Sequence, residues 1–328
     1  MSITRREFLA AGLGAVSLLS GCASSGAAQE ELSSTIFCFD TVCQLRGVMD
    51  QATLDGAGEL CDRFEQLFSR TIATSDVGRI NAAGGAPVEV APETADLIAK
   101  ALGYCEASGG FFDITIGAVS SLWDFHNEVV PAEADIAAAL PHVGWKNVQV
   151  DGTTVTLSDP EAMIDLGGIA KGWIADALIS FFAEQGVTSA CVNLGGNVAV
   201  LGTKPDGSPW RVGVQDPFAE RGEAIIARTE MSGGSLVTSG LYERSFERDG
   251  RSFWHILDPR TGYPVETDVV SASVRSELSI DGDGFTKPLF FMSPEEGISW
   301  LEDLGLEGML VMADGTILTT QNSSFDLL

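Results

Sequence analysis

The stretch from Ala162 to Gly172, AMIDLGGIAKG, constrains the fold more than any other part of this chain. Its apolar run reads as a strand, holds a carboxylate at Asp165 and meets Gly167 and Gly168; an amphipathic segment from Trp173 to Phe182 follows at once. A strand, a glycine turn and a helix start in that order let backbone N–H groups approach a phosphate without side chains in the way. Asp165 adds an acceptor for a metal or a ribose hydroxyl, and Lys171 adds a cation in the first helical turn. Gly-Gly between a strand and a helix also serves as a plain tight connection, so a second feature is needed.

That feature is His255-Ile-Leu-Asp-Pro-Arg-Thr-Gly-Tyr-Pro264, which follows an expected strand over Ser252–Leu257. Gly262 stands where a positive φ costs little. The segment puts an imidazole, a carboxylate, a guanidinium and a hydroxyl within a few residues. Standing alone it reads as a structural turn, with Asp258 capping backbone amides. His126 and His142 read as surface or structural histidines, whereas His255 sits at a strand end beside this turn.

Along the chain, helical and strand periodicities intersperse without a repeat or strict βαβ order, which gives an α+β class. Residues 36–46 alternate as an early strand. Residues 53–69, 92–107 and 294–304 suit amphipathic helices. Val148–Leu157 reads as a hairpin about Asp151-Gly152, and 188–201 as one long strand with Gly195 and Gly196 inside it. Strands are expected at 210–214, 225–229 and 269–274, and a closing hairpin at 309–320.

The N-terminus carries a twin-arginine pattern, Thr4-Arg5-Arg6-Glu7-Phe8-Leu9, then an apolar stretch to Leu19 and a lipobox, Leu19-Ser20-Gly21-Cys22. The apolar stretch is too short to span a bilayer, so it reads as an export signal. Residues 1–21 are expected to be removed and the Cys22 thiol lipidated, tethering the protein to the outer face of the cell membrane. Residues 22–33 read as a flexible spacer and 34–328 as the folded domain. A net charge of −27 argues against nucleic-acid partners and means that any anionic substrate must be met by a local cationic site. The five cysteines besides Cys22 lack metal-binding spacing and read as buried hydrophobes, with one disulfide possible.

Several segments in one order resemble the ApbE family of FAD:protein FMN transferases, which need magnesium. Phe39-Asp40-Thr41, Ser75-Asp-Val-Gly-Arg-Ile-Asn81, Ser108-Gly-Gly-Phe-Phe-Asp-Ile-Thr115 with Leu122-Trp123, Val192-Asn-Leu-Gly-Gly-Asn197 and Thr238-Ser-Gly240 join the two segments above, covering residues 34–292. The resemblance implies a flavin-transferase fold of mixed sheets and helices, T-fold-related, with the flavin in a cleft between two lobes. It implies an enzyme that splits FAD, attaches FMN to a threonine of an exported flavoprotein and releases AMP. Carried over residue by residue, FAD contacts fall on Phe39, Thr71, Phe111, Phe112, Asp113, Asp165, Lys171 and Ile256. Thr71 stands where many members have an aromatic ring. His255 is the expected base for the acceptor hydroxyl, with Asp283 as its catalytic companion. Magnesium ligands are expected at Gly168, Asp283 and Thr286.

The chain departs from the family at that last site, where members place a threonine four residues after the aspartate. Here Asp283-Gly-Phe-Thr-Lys287 puts Lys287 in the threonine's place and Thr286 one residue early. Three consequences compete: Thr286 or Asp281 shifts to serve the metal, the Lys287 ammonium supplies part of the charge, or the site is inactive. Surviving Asp165, Asp283 and the glycine pair favour a retained but altered site. Alternatives to the transferase are an FAD pyrophosphatase, with water as nucleophile, and an FAD-binding lipoprotein without turnover.

Overall fold

The computed structural model describes residues 31–328. The twin-arginine segment and Cys22 lie outside the described residues. The first strand begins at Glu31, inside the segment expected as spacer.

An eight-stranded antiparallel sheet organises the chain, in the order Glu31–Cys38, Thr41–Val48, Ala190–Leu194, Asn197–Leu201, Gly233–Gly240, Val269–Ser276, Glu307–Met312, Ile317–Thr319. Period-2 alternation divides its side chains. Leu45, Ala190, Val192 and Leu194 face a core shared with the helices Gln51–Phe68, Pro92–Ala107 and Ala170–Glu184. Val200, Leu236, Met309 and Val311 face the other way, onto Trp210, Val212, Val214, Ala227 and Met231 of a small three-stranded sheet. The result is helices, sheet and sheet in three layers, an α+β fold.

Two segments read as single strands are hairpins. Residues 36–46 turn back at Phe39 and Asp40, whose φ angles of 54° and 56° make a two-residue left-handed turn. Residues 188–201 turn back at Gly195 and Gly196. Alternation continues across such a turn, so the pattern hides it. In the other direction, Ala162–Leu166 is extended but joins no sheet; its one bridge is Met163 to Ile116. The strand before His255 ends at Trp254.

Three elements that position the site were not anticipated. The strand Gly233–Gly240, rich in glycine and serine, is central in the sheet. The strand Ser245–Arg248 pairs with the expected strand at Arg251–Trp254 in a hairpin that packs Phe246 and Phe253 with Trp123, and the Trp123 indole N–H donates to the Gly262 carbonyl at 3.1 Å, fixing the Asp258–Gly262 turn. The third is the helix Ser279–Thr286, through a sequence whose glycines disfavour helix. Its cap comes from another helix: Asp176 accepts the Ser279 and Ile280 N–H groups at 2.7 and 2.9 Å. Its glycines permit contact, since a Cβ at Gly284 would meet the Tyr104 ring at 2.5 Å. Gly172, on the facing helix, has Ser279 O and Asp283 Cβ within 2.7 Å of where its own Cβ would be.

Candidate functional site

The site starts at the Gly167–Gly168 turn, which is fixed on several sides. Asn81 clamps the residue ahead of it, donating to the Ile164 carbonyl at 2.9 Å and accepting the Ile164 N–H at 2.7 Å. Asp165 accepts the Gly167 N–H at 2.9 Å, the Ser120 hydroxyl at 2.8 Å and the Arg70 guanidinium at 3.0 Å. The Phe112 ring lies against Gly168, where a Cβ would sit 3.0 Å from it. The helix Ala170–Glu184 then starts without a side-chain cap of its own. A helix N-terminus preceded by glycines favours an anion, and one first-turn N–H, that of Gly172, is already met by the Asp283 carboxylate. Lys171 folds back, its ammonium donating to the Gly167 carbonyl at 3.3 Å.

The second half of the site comes from the 244–255 hairpin and the helix Ser279–Thr286. The His255 N–H donates to the Arg244 carbonyl at 3.1 Å, and its Nδ1 is buried with no protein partner. Burial, then the positive charges of Arg244, Lys171 and Lys287, push the imidazole down to about 3. Three cations therefore act on one neutral imidazole. Arg244 also pairs with Asp40 at 3.0 Å, beside Phe39, whose N–H donates to Glu65 at 3.2 Å.

Asp283 is fully buried. One oxygen accepts the Gly172 N–H at 2.9 Å and the other is ion-paired with Lys287, whose ammonium also donates to the Asp283 carbonyl at 3.0 Å. Burial alone would raise this carboxyl, but Lys287 and Lys171 outweigh it and hold it below the usual range. Thr286 turns its hydroxyl to Ser239 Oγ at 2.8 Å, and Asp281 accepts the Tyr104 hydroxyl at 2.5 Å. Both side chains are engaged within the fold, the Thr286 hydroxyl also donating to the Asp283 carbonyl at 3.3 Å. Among the described residues no group of three His, Cys, Asp or Glu side chains is placed to hold a metal ion. The set Gly168, Asp283 and Thr286 as folded does not fit magnesium, because an ammonium already contacts its one carboxylate.

Other expected contacts play scaffolding parts. Asp113 accepts the Thr115 N–H and hydroxyl and the Trp145 N–H, closing the loop that carries Phe112; burial pushes its carboxyl up. Phe111 stacks on Phe291 at 5.5 Å, with the Arg260 guanidinium 4.8 Å from its ring. Ile256 is buried in a satellite core, Thr71 is exposed beside Ser69, and Arg260 folds bidentately onto Asp258. His142 sits between Asp159 and Glu161, away from these residues. Cys38 and Cys43 are free thiols with sulfurs 3.3 Å apart. Arg70, Arg244 and Asp176 escaped sequence reasoning, since their partners lie far along the chain.

An antiparallel three-layer fold with a glycine-turn helix start, flanking lysines and an unpartnered histidine Nδ1 is an arrangement suited to receiving an anion. Residues 39–310 match the model of the ApbE family, and the chain belongs to that family. It is 40% identical over 257 residues to an FAD:protein FMN transferase of Klebsiella pneumoniae (strain 342), covering 77% of this chain and 79% of the relative. An FAD:protein FMN transferase of Treponema pallidum (strain Nichols) is 32% identical over 326 residues, covering 91% and 90%. Among solved structures, the ApbE protein of Thermotoga maritima superposes with a TM-score of 0.82 at 31% identity, over 89% of this chain and 97% of that one. The flavin transferase ApbE of Vibrio cholerae gives 0.79 at 25% identity, over 90% and 98%.

Proposed function

We propose that this chain is an FAD:protein FMN transferase. The observation that carries the reading is the Asp283–Lys287 pair held on the Gly172 N–H at the glycine-turn helix start, with the His255 Nδ1 left unpartnered. The FAD pyrophosphate sits at that helix N-terminus, its charge met by the lysines. The acceptor threonine oxygen forms a bond to the phosphorus of the FMN half, and the bond from that phosphorus to the bridging oxygen breaks. AMP leaves with the bridging oxygen, and the hydroxyl proton passes to the His255 imidazole. The imidazole is a weak base first because of its burial and then because of the cations around it; arriving phosphates offset the cationic part and raise its proton affinity.

The acceptor is an exported flavoprotein, and the chain itself is exported and lipid-anchored at Cys22. Support for this compartment is the N-terminal sequence alone; intact mass of the membrane-bound protein tests it, and a mature chain retaining residues 1–21 overturns it. Incubating the protein with FAD and a threonine-bearing acceptor peptide tests the activity. AMP with a peptide heavier by FMN is the expected result. AMP with free FMN would identify a pyrophosphatase instead, and neither product a flavin binder.

A further inference from the structure

We infer that Lys287 is the resident positive charge for the FAD pyrophosphate, standing where a divalent cation would otherwise neutralise it, so that this chain binds FAD without added divalent ion. The inference rests on the FAD reading above and concerns how that site balances its charge.

The geometry favours a fixed role. Lys287 and Asp283 are four residues apart at the C-terminal end of the helix Ser279–Thr286, where a cation is favoured by the helix dipole. A lysine near a helix end ordinarily extends its flexible stem to water. Here the side chain is 17% exposed and turns inward onto a carboxylate that is 1% exposed. Asp283 is itself held by the Gly172 N–H in the first turn of the phosphate-facing helix, so the ammonium is fixed relative to that helix through one shared carboxylate. Lys171 and Lys287 both act on Asp283 and on His255, leaving the group net positive after Asp283. An ammonium is a compact point charge that binds phosphate oxygens well. A divalent ion at Asp283 would have to displace it or sit against it. The hydroxyl that could have completed a cation site, that of Thr286, is taken up by Ser239 at 2.8 Å and by the Asp283 carbonyl at 3.3 Å.

The test uses the intact protein, stripped with EDTA. FAD affinity is measured by flavin fluorescence in EDTA and in magnesium chloride, and metal binding by Mn2+ electron paramagnetic resonance. The wild type is expected to bind FAD equally in both, within about twofold, with no stoichiometric Mn2+ site near the flavin. Lys287→Thr is expected to lose about tenfold or more in FAD affinity in EDTA and to regain it with Mg2+, a rescue that a merely structural lysine would not give. Wild-type FAD binding that strengthens about tenfold with magnesium, or a Mn2+ site in the wild type, overturns the inference and leaves the transferase reading standing. Unchanged FAD affinity of Lys287→Met in EDTA overturns it too. FAD binding under neither condition removes the transferase reading and this inference together. The wild-type comparison decides the matter even where a variant fails to fold.

Discussion

His255 is half-buried with its Nδ1 enclosed, and its proton affinity is pushed down to about 3, first by desolvation and then by the charges of Arg244, Lys171 and Lys287. In the unfolded chain an ordinary imidazole titrates near 6.5. Between those two values the unfolded state binds a proton that the native state refuses, so stability rises with pH through this window and is lost as pH falls. Replacing His255 with Gln removes that contribution. The wild type should therefore lose about 2 kcal/mol more than His255→Gln between pH 6.5 and 4.5; parallel melting curves across that range measure it, and superimposable pH profiles contradict it. Asp176, raised to about 6 by burial, acts in the opposite direction but is common to both proteins and cancels in the difference. The same residue makes a catalytic prediction. His255→Ala should bind FAD as well as the wild type while AMP release in the presence of acceptor falls by about 10²–10⁴. Transfer at the wild-type rate would remove its role as base.

Between elements, the decisive contact is the helix Ala170–Glu184 against the helix Ser279–Thr286. Gly172 is where they touch, and a methyl group there would lie 2.6 Å from Ser279 O and 2.7 Å from Asp283 Cβ. Gly172→Ala should destabilise the fold by about 1–3 kcal/mol and, by displacing Asp283 with its lysine, weaken FAD binding as well. Gly103→Ala is the control: the helix Pro92–Ala107 exposes it and nothing lies within 4 Å, so alanine there should be neutral or stabilising by up to about 1 kcal/mol. Equal melting temperatures for the two variants would sink the close-packing account. This contact also marks where the sequence stops being readable. Helices over 53–69, 92–107 and 294–304 were legible because their apolar residues fall on one face and decide the structure locally. The helix through Ser-Ile-Asp-Gly-Asp-Gly was not, because its cap is Asp176 and its glycines answer to Val237 and Tyr104, all distant in sequence. Lys171, His255 and Asp283 stood out in the sequence through the segments that hold them, and the fold brings their charges to bear on one another. The direction of Lys287 was not, since a four-residue spacing brings two side chains together only if the intervening chain is helical. Arg70 onto Asp165 and Arg244 onto Asp40 are tertiary pairings that no local pattern announces.

At the scale of the whole molecule, a chain of net charge −27 presents a repelling field to the anion it must receive, while the cations meant for that anion are few and grouped. The two effects have different ranges. At about 10 mM ionic strength the screening length is about 30 Å, comparable with the protein itself, and FAD approaching from solution meets the summed negative charge. At about 0.15 M it shrinks to about 8 Å, so distant carboxylates are screened while the grouped cations Lys171, Lys287 and Arg244, which the proposed reading sets beside the phosphates, still act at short range. The association rate of FAD should accordingly rise between those two salt concentrations, and its dissociation rate should change much less. Stopped-flow quenching of flavin fluorescence in a sodium chloride series measures both. An association rate that falls steadily with salt would mean that the local cations reach beyond the site and steer FAD from a distance, so that the acidic surface has no hold on entry.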